Sequence, residues 1–138
     1  LRQALERQIR DLGLDRHVHL AGFRTDALGL MKSFDLFAMS SVTEGLGSVV
    51  LEAMACGRAV IGTRAGGLPE AIVDGETGLL VPPHDGPALA EAILALLRDP
   101  RVAGGMGLAG RARVEREFSI EQMVRGTLEV YLRQLSDR

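Results

Sequence analysis

The sequence predicts an α/β fold built on a parallel sheet. Through Val81, short apolar runs of strand-like composition alternate with segments in which apolar residues recur at helical spacing. Parallel strands are joined by crossover connections, which are usually helical, so the alternation indicates a parallel arrangement. After Val81 only helical spacing continues, and we therefore expect an all-helical C-terminal tail that packs against the sheet.

The predicted elements follow one another from the first residue. Apolar residues at helical spacing fill 1–12 until Gly13, and an alternating pattern in 17–22 indicates a strand that ends in glycine. Further strands are predicted at 35–39, 59–62 and 78–81. The remaining helices are predicted at 26–34, 48–55, 68–73, 87–97, 102–118 and 120–135.

The composition indicates one globular domain over residues 1–138. Hydrophobic residues make up 46% of the chain, and the net charge of −2 leaves no electrostatic footprint for nucleic acid or an anionic membrane. The single cysteine, Cys56, excludes an internal disulfide and fits a reducing cytoplasm. No apolar run approaches the ~20 residues of a membrane span. Because the chain starts within a helical pattern and without methionine, we expect it to be a fragment.

The segment 40–57 carries most of the chemical information, since it runs from a strand end through a glycine-bearing loop into a helix. In open α/β folds, ligands bind in the crevice beyond the carboxyl ends of the strands. Gly45 and Gly47 would let the backbone approach a ligand, and free amides at Ser48 and Val49 with the helix dipole suit phosphate. The sequence therefore predicts a diphosphate site, and the lack of a third glycine argues against NAD.

Two glutamates, Glu44 and Glu52, lie within this segment. On one continuous helix they would be about 12 Å apart along the axis and roughly 80° apart around it, so they cannot form a same-face pair. If Glu44 lies in the loop and Glu52 one turn inside the helix, the two flank the phosphate site and can accept bonds from sugar hydroxyls. Spacing alone leaves open that both are simply solvated surface residues.

Three motifs, at 44–61, 66–70 and 74–81, closely resemble the retaining glycosyltransferases of family four, which carry two glutamates with seven residues between them. Those enzymes have the GT-B fold of two Rossmann-like domains. The resemblance extends across nearly the whole chain. It implies a single, truncated C-terminal domain, the donor-binding one, with a Rossmann-like three-layer parallel sheet.

The resemblance also implies roles for particular residues. Glu44 would contact the donor hexose and is the predicted catalytic residue, although no protein nucleophile is assigned. Glu52 would hydrogen-bond the ribose hydroxyls. The donor sugar and diphosphate would be held by Gly45, Leu46, Gly47, Ser48 and Val49. The nucleobase would lie against the loop of Gly22, Phe23 and Arg24.

The activity implied by the resemblance is transfer of a hexose from a UDP-, GDP- or ADP-sugar to an acceptor hydroxyl with retention, without a cofactor or metal. A glycan, lipid or small-molecule acceptor would bind mostly to the N-terminal domain. The complete protein would be cytoplasmic, with peripheral association at the inner membrane as an option. Two alternatives stay open: a non-catalytic nucleotide-sugar-binding module, and a structural fragment without a ligand.

Two carboxylates beside a diphosphate are unfavourable unless cations share the site. In the family an Arg and a Lys from the first strands of this domain supply that charge, and both would precede Leu1. Arg24, Arg58 and Arg64 are the nearest basic residues by sequence. The spacing shows no way for any of them to replace the missing pair.

The stability of the isolated chain follows from the strand order. With the usual 3-2-1-4-5-6 order, the chain holds strands three to six and lacks the central first and second. We expect it to be marginally stable or prone to aggregation, since exposed central edges are available for pairing. Light scattering and thermal unfolding test this expectation, and cooperative unfolding of a soluble monomer at a high midpoint would contradict it.

Overall fold

The computed structural model of the chain describes residues 1–136. After two initial helices, strands and helices alternate as far as residue 81, and three helices follow. In chain order the elements are α1 (Arg2–Asp11), α2 (Ala27–Met31), β1 (Leu36–Met39), α3 (Ser48–Ala55), β2 (Ala59–Thr63), α4 (Leu68–Ala71), β3 (Gly78–Val81), α5 (Gly86–Arg98), α6 (Pro100–Glu117) and α7 (Ile120–Ser136).

The three strands form one parallel sheet in the order β1-β2-β3. Leu36 of β1 lies opposite Ala59 of β2, and Val60 of β2 lies opposite Gly78 of β3. Each crossover contains a helix, α3 in the first and α4 in the second. The predicted parallel α/β arrangement is confirmed.

The central strand β2 is buried along its whole length, because helices cover both faces of the sheet. Val60 packs into a core cluster with residues of α3 and α4, including Met54 and Leu68. Ile61 points to the opposite face, where it packs with Leu96 and other residues of α5. Successive side chains of a strand point to opposite faces, so this alternation produces the three layers that were predicted.

Two aspartates set where α5 and α6, the first two of the three helices after the sheet, begin. The Asp85 carboxylate accepts a hydrogen bond from the amide of Ala88 at 2.9 Å. The Asp99 carboxylate accepts from the amides of Arg101 and Val102 at 3.1 and 3.2 Å. Each cap satisfies amides that have no partner inside the helix.

The strand predicted at 17–22 is wrong, since these residues follow the turn after α1 without forming a strand. A strand is stable only when its backbone groups pair with a neighbour, and no strand of the described residues lies beside this segment. The alternating pattern therefore leads into an exposed loop at Gly22–Arg24.

The tail is helical as predicted, but its packing differs among the helices. Residues of α5 and α6 pack into the core, whereas none of the residues of α7 is buried. Its apolar side chains face solvent, with Ile120 73% and Tyr131 66% exposed. The expectation that the whole tail packs against the sheet is thus wrong for α7. Within residues 1–136, no helix is both long and apolar enough to cross a membrane.

Glycine allows α6 to approach the turn after α3 closely. A Cβ atom on Gly107 would lie 2.2 Å from the carbonyl oxygen of Gly57, closer than any real contact. Glycine is a poor helix former, so its use here reflects packing rather than helix propensity. Around Gly105, by contrast, a Cβ atom would meet open space.

These two glycines form a matched pair for a stability measurement. We expect Gly107→Ala to lower the free energy of unfolding by roughly 1–3 kcal/mol, because the added methyl group overpacks a backbone contact. Gly105→Ala should raise it by about 0.5–1 kcal/mol through helix propensity alone. Urea unfolding followed by circular dichroism measures both changes. Equal effects of the two substitutions would show that the close approach at Gly107 is absent in solution.

Candidate functional site

The loop between β1 and α3, residues 40–47, lies at the carboxyl edge of the sheet. Parallel strands end at the same edge, so the segments after Thr63 of β2 and Val81 of β3 share this edge. The buried Thr63 hydroxyl donates a hydrogen bond to the carbonyl oxygen of Ser41. The loop is therefore attached to the central strand as well as to its own.

A glycine in a left-handed conformation turns this loop into α3. Gly47 has a φ of 73°, and its carbonyl oxygen accepts the first helical bond from the amide of Val50 at 2.8 Å. Among the described residues, no side chain caps α3. The amides of Ser48 and Val49 thus have no partner within the helix, and the positive end of the helix dipole lies there. This geometry suits an anionic group.

The Gly66–Gly67 turn packs directly against the backbone of this loop. The Gly67 amide donates to the Gly45 carbonyl oxygen at 2.7 Å. A Cβ atom on Gly66 would lie 1.8 Å from the Glu44 carbonyl oxygen, and one on Gly67 would lie 2.4 Å from that of Gly45. Only glycine fits at both positions. The turn of the motif at 66–70 therefore packs directly against the loop of the motif at 44–61.

The two glutamates occupy the loop-and-helix arrangement that the sequence left as one alternative. Glu44 lies in the loop, half-buried, where its carboxylate accepts from the Ser41 hydroxyl at 3.3 Å and from the Gly45 amide at 3.1 Å. Glu52 is exposed in the second turn of α3, about 6 Å along the axis from Ser48. Each carboxylate keeps lone pairs for hydroxyl donors.

The loop predicted to meet the nucleobase is exposed. Gly22 has a φ of 68°, and Phe23 is 93% exposed and does not belong to the core. Arg24 forms a two-pronged ion pair with Asp26 at 2.8 and 2.6 Å. Hydrogen bonding to Arg24 lowers the pKa of the Asp26 carboxyl, and the same bond raises the pKa of Arg24.

The three arginines considered as phosphate partners are engaged elsewhere. Arg24 pairs with Asp26, and Arg64 pairs with Asp74 at 2.5 Å. Arg58 donates to the carbonyl oxygens of Phe34, at 2.8 Å, and Cys56, at 3.3 Å. These contacts agree with the expectation that none of the three arginines replaces the missing pair of cations.

Sequence reasoning missed the residues that hold the loop in place. Thr63 and Ser41 interact across 22 positions, and no local pattern signals such a bond. The pairing of Gly67 with Gly45 is equally non-local. The only available signal was the motif at 66–70, whose double glycine lies before Pro69.

These features define a class of protein, the Rossmann-like α/β domains. They are a parallel sheet covered by helices, with a glycine-bearing loop and an uncapped helix start at its carboxyl edge. The chain is a member of the glycosyl transferases group 1 family, whose model matches residues 1–99.

Relatives agree with this assignment. The chain is 44% identical over 108 residues to alpha-maltose-1-phosphate synthase of Mycolicibacterium smegmatis, covering 74% of this chain and 28% of the relative. It is 35% identical over 129 residues to N-acetyl-alpha-D-glucosaminyl L-malate synthase of Bacillus anthracis, covering 94% and 34%. The chain thus spans about a third or less of the length of these relatives.

Solved structures show the same fold. Sucrose-phosphate synthase from Thermosynechococcus elongatus matches with a TM-score of 0.85 at 34% identity, covering 99% of this chain and 35% of that one. The Anabaena protein HepE in complex with UDP matches with a TM-score of 0.86 at 33% identity, covering 93% and 36%. The predicted three-layer Rossmann-like fold and the family are both confirmed.

The ion pair at the exposed loop has a measurable consequence for pH dependence. Because Arg24 lowers the pKa of Asp26, any order that the pair gives the loop is present at neutral pH and is lost as pH falls through that lowered pKa. We expect Arg24→Met to raise the pKa of Asp26, measured by carbon-13 NMR titration of the side-chain carboxyl. Arg125→Met on α7 is the matched control. An unchanged Asp26 pKa in Arg24→Met would show that the pair does not form in solution.

Proposed function

We propose that this chain is the donor-binding half of a retaining glycosyltransferase and that it binds a nucleoside diphosphate sugar between Glu44 and Glu52. One observation carries the proposal: the uncapped start of α3 follows a glycine loop at the carboxyl edge, with one carboxylate before it and another a turn inside. Amides and a helix dipole recognise phosphate, and carboxylates recognise hydroxyl groups.

The names of similar proteins support the same class of donor. HepE has been solved with UDP and with UDP-glucose, and one relative is described as a GDP-mannose-dependent mannosyltransferase. The donor base therefore differs between similar proteins, while a nucleoside diphosphate is common to these. For this chain, too, we propose a nucleoside diphosphate carrying a hexose.

Each part of the donor has a proposed partner. The diphosphate accepts bonds from the backbone amides of Ser48 and Val49, and the hexose hydroxyls meet the loop at Gly45–Gly47. Glu44, already oriented by Ser41, accepts from a hexose hydroxyl. Glu52 accepts from the ribose hydroxyls, and the exposed loop at Phe23 lies against the nucleobase.

The proposed reaction exchanges one bond at the anomeric carbon for another. The bond from the sugar to the terminal phosphate oxygen breaks, and the nucleoside diphosphate leaves with the electron pair. The acceptor hydroxyl oxygen bonds to the same face of the sugar, and its proton is taken up by the departing diphosphate. No metal or cofactor enters this scheme. The acceptor and the cations that stabilise the leaving group would come from the rest of a longer, cytoplasmic protein.

Calorimetric titration with UDP, GDP and ADP tests the donor site, on samples of the chain that light scattering and circular dichroism show to be monomeric and folded. We expect Glu52→Gln to weaken binding of the preferred nucleotide about tenfold, because a carboxylate accepts stronger bonds from hydroxyls than an amide does. The 2′-deoxy nucleotide should bind the wild-type chain more weakly but lose less on this substitution. Glu129→Gln, an exposed glutamate of α7, is the matched control.

Two outcomes would count against the proposal. Absence of heat with all three nucleotides would favour a structural fragment. Nucleotide binding without sugar transfer by the complete protein would favour a non-catalytic binding module. Retention is tested separately, by the anomeric proton coupling in the NMR spectrum of the first product formed.

A further inference from the structure

The last residue of the central strand, Thr63, is not among the donor contacts proposed above. It is buried, with 3% of its surface exposed, and its hydroxyl donates to the carbonyl oxygen of Ser41. A buried hydroxyl without a partner is costly, so this bond also determines which way the Thr63 side chain points. Because β2 is buried and paired with a strand on each side, Thr63 lies in a defined position.

Ser41 connects Thr63 to the predicted catalytic glutamate. Its carbonyl oxygen accepts from Thr63, and its hydroxyl donates to Oε2 of Glu44 at 3.3 Å. The other carboxylate oxygen, Oε1, accepts from the amide of Gly45 at 3.1 Å. Both oxygens of the Glu44 carboxylate are therefore oriented by the loop, and the loop is itself attached to Thr63.

The backbone of Glu44 is restrained from the end of the same strand. The turn at Gly66 follows Thr63 closely in the chain, and a Cβ atom on Gly66 would lie 1.8 Å from the Glu44 carbonyl oxygen. The contact at Gly66 thus places the residue, while the bonds through Ser41 orient its carboxylate. A carboxylate that is aligned before a ligand arrives loses less conformational freedom on binding.

We infer that Thr63 is a positioning residue of the donor site, which acts through Ser41 on the Glu44 carboxylate and thereby on the hexose of the donor. The inference rests on the proposed function, in which Glu44 accepts a bond from a hexose hydroxyl. The contacts proposed for the diphosphate and the ribose belong to α3, to which the Thr63 hydroxyl does not bond. Loss of this hydroxyl therefore weakens binding of the hexose and leaves the nucleotide contacts intact.

Comparison of each nucleotide with its nucleotide sugar tests the inference. UDP, UDP-glucose, GDP and GDP-mannose are titrated by calorimetry into samples that light scattering and circular dichroism show to be monomeric and folded. Thr63→Val keeps the branched shape and loses the hydroxyl. We expect it to weaken binding of the nucleotide sugar about fivefold and to change binding of the nucleotide alone by less than about twofold. Thr63→Ser keeps the hydroxyl and should bind both ligands as the wild-type chain does.

Two further variants exclude a change in folding as the cause. Ser41→Ala alters a partly exposed loop residue outside the core, and it should reproduce the selective loss of the nucleotide sugar. Thr127→Val is the matched control, because the Thr127 hydroxyl also donates to a backbone carbonyl oxygen, that of Met123 at 2.8 Å, on the exposed helix α7. It should change the binding of neither ligand.

A double-mutant cycle separates positioning from a general loosening of the site. Glu44→Ala should itself weaken the nucleotide sugar more than the nucleotide. In the Glu44→Ala background, Thr63→Val should weaken the nucleotide sugar further by less than about twofold, because no carboxylate remains to be oriented. A residue that acts independently of Glu44 would instead give the same fold-change in both backgrounds.

Each other outcome overturns a defined part. If Thr63→Val weakens nucleotide and nucleotide sugar by the same factor, or weakens neither, this inference fails and the proposed function stands. Full additivity of Thr63→Val and Glu44→Ala also overturns it. If Glu44→Ala leaves binding of the nucleotide sugar unchanged, the role proposed for Glu44 fails together with this inference, while nucleotide binding stands. If the wild-type chain binds none of the four ligands, the proposed function fails as well.

Discussion

Direct backbone contact between the loop at Glu44–Leu46 and the turn at Gly66–Gly67 determines the shape of the carboxyl edge of this sheet. No side chain larger than hydrogen fits at either glycine, and one amide-to-carbonyl bond joins the two segments. The Thr63 hydroxyl adds a second attachment through Ser41. Because both segments leave parallel strands that are packed into the core, the start of α3 is held in a defined position. Such preorganisation lowers the entropic cost of binding a ligand there.

The rest of the chain divides into a packed body and exposed elements. The body comprises the three strands with α3, α4, α5 and α6, and it contains nearly all the buried side chains. The loop at Gly22–Arg24 and the whole of α7 lie outside it, with large apolar side chains exposed. The proposed phosphate and ribose contacts belong to the body, whereas those to the nucleobase belong to the exposed part.

The positive charges nearest to the loop at residues 40–47 are engaged in contacts within the chain. The arginines nearest to the loop by sequence form ion pairs or backbone contacts that hold local structure. The sequence did not predict these contacts, because sequence spacing does not show which partner a long side chain binds. Lys32, which sequence reasoning did not single out, shares a groove with Glu52 because α2 and α3 pack together.

Local patterns were sufficient for most of the fold and for the position of the loop and helix of the candidate site. Apolar spacing predicted α3, α5 and α6 and the three paired strands, and glycine with two glutamates marked the loop and helix that carry the site. Those features depend on a few adjacent residues, whose conformational preferences act over one or two turns. The strand predicted at 17–22 and the packing predicted for α7 were wrong, because pairing and burial depend on a partner element. Only the tertiary structure decided three further features: the contact of the Glu44 backbone with Gly66, the bond from Thr63 to Ser41, and the groove that Lys32 and Glu52 both line. Each joins residues that are distant in the chain and become adjacent only when the layers pack.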